Sequence, residues 1–154
     1  MAHQASPPQS FNPLKWLIRI VVAAILIVAL FLGIKHQQRK DIVEKLNDIP
    51  GVFATHPMQL LPGNTTLALE IDLALCRSGD LGLAVGILEK KRGTFSRVSI
   101  QFDGVASMPS AELSAMLTGH DAFHDVAFKR PTPDIRALIP EMRATMKCPV
   151  RVID

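Results

Sequence analysis

Hydrophobic positions run unbroken from Trp16 to Ile34, nineteen residues in which Arg19 is the only charge, and then break into short periodic groups. As a helix rising 1.5 Å per residue the unbroken run spans about 28 Å, close to the thickness of a bilayer's hydrocarbon core. It predicts a transmembrane helix over residues 14–35. Ile42, Val43, Leu46 and Ile49 next fall on one helical face, so a juxtamembrane stalk helix is expected over 36–50, stopped by Pro50 and Gly51. Before the anchor, residues 1–13 place Pro7, Pro8 and Pro13 among Gln, Ser and Asn, a composition with too few apolar side chains to form a core. That segment is expected to be a flexible tail.

Residues 51–154 change period. An extended segment is expected over Val52–Leu61. Leu67, Leu69, Ile71, Leu73 and Leu75 then alternate with Thr66, Ala68, Glu70, Asp72 and Ala74, which predicts a strand with one apolar face. Arg77, Ser78, Gly79 and Asp80 supply turn chemistry, and Leu81, Leu83, Val85 and Ile87 repeat the alternation. The other face of this second strand is Gly82, Ala84 and Gly86, so bare that it reads as a packing site for a helix or a partner. Lys90, Lys91, Arg92 and Gly93 make a basic hairpin tip, read as a solvated charge cluster that deters edge pairing, with contact to acidic lipid or a partner as the alternative. The third strand carries Val98, Ile100 and Phe102 and ends at Asp103 and Gly104.

Helical signals follow. Pro109, Ser110 and Glu112 suit a helix start, Leu113, Met116 and Leu117 share a face, and Gly119 offers a stop. Val126 to Phe128 suits a brief strand. Thr132, Pro133 and Asp134 form an N-cap, N1 and N2 series for a helix whose stripe is Ile135, Leu138, Ile139, Met142 and Met146, with a kink or break expected at Pro140. Pro149 to Ile153 suits a last strand. The fold class expected is α+β: one transmembrane helix, then a small domain with a mostly antiparallel sheet and two or three helices.

Charge refines the picture of the anchor. Seventeen Lys and Arg oppose fourteen Asp and Glu, but residues 1–40 hold five of the bases and no acid, so the remainder is slightly acidic. A basic anchor on an acidic domain points to lipid and away from nucleic acid. Lys15, Trp16 and Arg19 on one side and Lys35, Arg39 and Lys40 on the other are candidate membrane-interface residues, Arg19 by snorkelling. Ala29 and Gly33 give a small-xxx-small spacing for close helix approach, and with Ile42, Leu46, Gly82, Ala84 and Gly86 they complete the candidate partner-packing positions. The apolar run is longer than a signal-peptide core and lacks a small-x-small cleavage site, which favours an uncleaved anchor.

The positive-inside count is even on the two sides of the anchor. Cys76 and Cys148, the only cysteines, suit either one disulfide in an oxidising compartment, closing a loop of about seventy residues, or two buried free thiols. With a short segment before the anchor and a long domain after it, the expected location is a bacterial inner membrane with the N-terminus cytoplasmic and the domain periplasmic.

One constellation resembles a reactive site. His120, Asp121 and His124 read H-D-x-x-H, similar to the H-E-x-x-H zinc hydrolase pattern, in which two histidines one helical turn apart share the metal and the acid activates water. Here Asp121 is a methylene shorter than Glu, Gly119 and Pro131 leave little room for the helix, and Asp125 and His56 are the available third ligands. There is no glycine-rich phosphate loop, no G-x-S-x-G elbow and no Cys-x-x-Cys. The expectation is a non-enzymatic accessory or structural subunit of a larger envelope complex, binding other envelope proteins and the lipid bilayer, with no catalytic residue, cofactor or small-molecule ligand. The alternatives are a membrane-tethered metal-dependent hydrolase using the H-D-x-x-H residues and a ligand-sensing domain.

Overall fold

In a computed structural model, residues 13–56, 65–106 and 108–153 are described. The tail expected over 1–13 therefore lies outside the described residues except for Pro13, as does the 57–61 part of the extended segment. The chain divides into two units, Met1–His36 and Gln37–Asp154.

The first unit holds most of helix α1 (Pro13–Asn47). Pro13 opens it, where a missing N–H costs nothing because the first-turn donors have no helical partner. Every residue from Pro13 to Ile34 is exposed among the described residues. By length and composition it is the helix, among the described residues, able to cross a membrane; the same properties suit a signal sequence.

The second unit begins within α1, whose Ile42 and Leu46 are buried and join Ile49 in its core. The helix ends at Asn47, ahead of Pro50 and Gly51. The Asn47 side chain bonds both backbone groups of Ala54, accepting from its N–H at 2.6 Å and donating to its carbonyl at 3.1 Å. That pair fixes the chain reversal into β1 (Val52–Thr55).

Five strands follow in chain order: β1, β2 (Thr66–Asp72), β3 (Arg97–Asp103), β4 (Asp125–Lys129) and β5 (Val150–Ile153). Between them lie α2 (Ser78–Lys90), α3 (Ser110–Thr118) and α4 (Pro133–Thr145). β1 is antiparallel to β2, and β2, β3, β4 and β5 are all parallel. The content is mixed α and β as expected, but the mostly antiparallel sheet is corrected to a mostly parallel one.

The correction has one source. The segment expected as a second strand is helix α2. Its alternating leucines also satisfy a helical period: Leu81, Ala84, Val85 and Leu88 are buried, while Gly82, Leu83 and Gly86 face solvent. Asp80 caps its start by accepting from the Arg77 N–H at 3.2 Å, so the expected turn is a helix N-terminus. With a helix in the connection, the chain returns to the same end of the sheet and must pair parallel.

Each of the three crossovers joins adjacent strands and steps the same way across the sheet. Right-handed crossovers then lay all three helices on one face, and α3 contacts both α2 and α4. That face carries Leu67, Leu69, Ile71, Val98, Ile100, Phe102, Val126 and Phe128, all buried. Thr132 caps α4 as its sequence predicts, accepting from Ile135 N–H. Pro140 neither ends nor breaks that helix. It stands on the exposed side of the helix, away from the sheet.

Apart from the adjoining backbone of the helix itself, nothing lies within 4 Å of where a Cβ would stand on Gly82 or Gly86. Gly82→Ala and Gly86→Ala are expected to stabilise the protein by about 0.5–1 kcal/mol each, because alanine restricts the unfolded chain and favours the helix. Thermal unfolding followed by circular dichroism checks this; a fall in midpoint would mean that the helix face is already occupied.

Candidate functional site

Parallel strands gather their following loops at one end of the sheet, the usual place for a site in such folds. Here that end is built by Asp72, the last residue of β2, with Leu73 to Cys76 after it, by Asp103 at the end of β3 with Gly104, and by Lys129 at the end of β4 with Arg130. Phe53, Glu70, Asp72, Ala74, Asp103 and Gly104 line a shallow hollow there. Asp103 accepts from Lys129 Nζ at 2.7 Å and from the Gly104 N–H at 2.9 Å, with Arg130 at 3.5 Å. The Lys129 hydrogen bond, ahead of the Gly104 bond and the two positive charges, holds its carboxyl below the usual carboxylate range. Asp72 Oδ1 accepts from the Ala74 N–H at 2.9 Å. These carboxylates fasten the turns in which they stand.

The H-D-x-x-H residues do not share a helix. Residues 120–124 form an irregular link between α3 and β4, so the one-turn spacing that a helix would give the two histidines is not formed there. His120 Nδ1 faces Glu89 Oε1 at 3.3 Å. His124 Nδ1 accepts from the Val98 N–H at 3.2 Å, and the His124 N–H donates to Val98 O at 2.9 Å, which continues the pairing ahead of β4. Asp121 binds Lys147 Nζ at 3.0 Å and lies 3.8 Å from Arg92; its pKa is lowered by the Lys147 hydrogen bond and charge, then by Arg92. Of the third-ligand candidates, Asp125 is paired through both oxygens with Arg151, and His56 Nδ1 lies against Thr66 O at 3.0 Å. No group of three or more His, Cys, Asp or Glu that could hold a metal ion occurs among the described residues.

The two cysteines are thiols and not a disulfide. Cys76 follows the C-terminal end of β2, whereas Cys148 precedes the N-terminal end of β5. They therefore stand at opposite ends of the parallel sheet with β3 and β4 between them. Three strand spacings alone are roughly 14 Å, well over the span of a disulfide. Burial, with Asp80 and Asp72 adding, pushes the Cys76 thiol up to about 11, and burial raises Cys148 as well.

A folded value above the unfolded one means that Cys76 favours folding below pH 9 and that this contribution is lost as pH rises toward 11. Urea unfolding at pH 8 and 10.5 should show an alkaline loss that shrinks in Cys76→Ala; an equal loss in both proteins counts against a buried neutral thiol.

The remaining candidate positions separate. Ile42 and Leu46 are taken up by the core of their own unit, and Ala84 is buried beneath α2 while Gly82 and Gly86 are exposed. The expected bare strand face thus becomes two opposite sides of a helix. Lys15, Trp16, Arg19, Ala29 and Gly33 are exposed on α1, Lys35 Nζ stands 5.6 Å from the Phe31 ring centre, and Lys40 pairs with Glu44 at 3.6 Å. Arg39 Nε donates to Thr94 O at 3.3 Å, which ties the link after α2 to α1.

Two surfaces escape the sequence reading. One is the sheet face opposite the helices, with Phe53, Ala68, Glu70, Arg151 and Ile153 exposed and Ser99 and Gln101 half-buried. The other is the convergence of Lys45 with Lys90, Lys91 and Arg92. The run Lys90, Lys91 and Arg92 is visible in the sequence, but its meeting with Lys45, like the sheet face, depends on packing between segments remote in sequence. No protein-family model, no curated protein and no solved structure matches this chain.

Proposed function

We propose that this chain is a single-pass, membrane-anchored, non-enzymatic accessory subunit of a larger bacterial envelope complex of the secretion, pilus or conjugation type, whose domain binds another envelope protein. The observation that carries the reading is the uncovered face of the sheet. Parallel sheets occur almost only with both faces covered. In this one, helices lie on one side, and among the described residues the other side leaves Phe53 55% and Ile153 42% exposed. The charges on that side, Glu70, Arg97 and Arg151 among them, suit a polar protein surface better than a lipid one.

Native-level affinity purification in mild detergent, with mass spectrometry of the eluate, tests the reading. Stoichiometric envelope proteins are expected with the wild type and not with Phe53→Arg, whose exposed side chain can change without loss of the core. A lone monomer overturns it. In this proposal the domain is periplasmic. An exposed cysteine, Glu141→Cys, should then react with an impermeant maleimide in intact spheroplasts; labelling only after lysis places the domain on the cytoplasmic side.

A further inference from the structure

We propose that Lys45, Lys90, Lys91 and Arg92 form a site for the phosphate headgroup of an anionic phospholipid. The proposal rests on the membrane-anchoring half of the reading above and not on its partner half. The four side chains come from the last turns of α1 and from the end of α2 with the turn that follows. They line one groove with Gln38 and Thr94. Asp41 is the single carboxylate in that lining, and its Oδ1 already accepts from Gln37 Nε2 at 2.9 Å. Lys45, Lys90 and Lys91 have no ion pair among the described residues. Arg92 meets Asp121 only at 3.8 Å.

Two further observations select a lipid. Gln38 follows the apolar run by four residues, so chain length alone keeps it within about 14 Å of Ile34. Basic clusters beside a membrane span attract anionic headgroups. A second crevice shares Ile42, Lys91 and Arg92 with the groove, and its lining joins Leu88, Phe95, Ala122 and Val98 to Asp121 and His124. A phosphate held by the lysines would therefore adjoin the apolar side chains Leu88, Phe95 and Val98, which an acyl chain can use and an inorganic ion cannot.

The test uses the full chain in mild non-ionic detergent, titrated with short-chain phosphatidylglycerol or phosphatidylcholine, with bound lipid counted by native mass spectrometry. Phosphatidylglycerol should bind in preference. Lys45→Gln, Lys90→Gln and Lys91→Gln should each weaken it roughly fivefold, whereas Arg97→Gln, on the open sheet face, should not. Equal binding of the two lipids overturns the proposal, as does wild-type binding by the three variants. Displacement of phosphatidylglycerol by inorganic phosphate assigns the groove to free phosphate and overturns the lipid site. Carbonate extraction of membranes reports the anchor separately: a chain washed off fails the anchoring reading, while a retained chain without lipid preference fails this proposal alone.

Discussion

Replacing Phe102 by alanine should lower the stability of the folded protein by about 4 kcal/mol, toward the upper end for truncation of a buried aromatic ring. Phe102 lies in β3, which is paired on both sides, and is 1% exposed. Its ring stacks on that of Phe128 at 5.1 Å between centres and 17° between planes. Truncation removes the ring's transfer free energy and leaves a void between two strands whose hydrogen bonds hold them apart, so the site cannot collapse to fill it. At roughly 4 °C per kcal/mol the unfolding midpoint should fall by about 15 °C. Thermal unfolding of the full chain in detergent, followed by near-ultraviolet circular dichroism, measures it. Phe102→Leu should lose less than half as much; a loss below 1 kcal/mol for the alanine variant would place the ring outside the core.

Gly51→Ala should cost about 3 kcal/mol by a different route. Gly51 has φ +75°, a conformation that costs an L residue roughly 1–2 kcal/mol. An added Cβ would also stand 2.7 Å from the Cys76 nitrogen and 3.0 Å from the Asp72 carbonyl oxygen, both backbone atoms with little freedom to retreat. The glycine's own carbonyl accepts from the Asp72 N–H at 2.8 Å, so moving aside breaks a bond that seats β1 against β2. Gly93 separates the two contributions, because it has φ +84° but nothing within 4 Å of its missing Cβ. Gly93→Ala should lose about 1 kcal/mol, strain alone. Equal losses at the two positions would exclude the close approach at Gly51 as a cause.

Some elements were legible because one local rule decided each of them. The apolar run from Trp16 to Ile34 has no competing reading as a strand, and α1 contains it. Thr132, Pro133 and Asp134 determine the start of α4 through a cap bond three residues long. Leu67, Leu69 and Ile71 in β2, and Val98, Ile100 and Phe102 in β3, alternate with polar residues too regularly to suit a helix. The exposed prolyl position of Pro140 was not legible, since a helix tolerates proline where solvent reaches the released carbonyl, and solvent exposure is a tertiary property.

The candidate site was less legible than the fold. His120, Asp121 and His124 form a visible pattern, yet the irregular link that carries them sends each side chain to a different partner: Glu89, Lys147 and Val98. Cys76 and Cys148 suggested a bridge by number and position along the chain, but sheet direction puts them at opposite ends. The open sheet face had no signal because its members are neighbours only after folding, and of the basic groove the sequence showed the run Lys90, Lys91 and Arg92 but not Lys45 beside it.

By itself the sequence determined the long apolar helix, two core strands and the capped start of the last helix, where side-chain period and capping chemistry act within a few residues. Tertiary structure alone decided residues 81–87. Their leucines and valine satisfy a period of two and a period of 3.6 equally, and burial of Leu81, Ala84, Val85 and Leu88 on the sheet selects the helix. That one choice reverses the direction of β3 relative to β2, and with it the orientation of the sheet, the separation of the cysteines and the meeting of Lys90, Lys91 and Arg92 with Lys45.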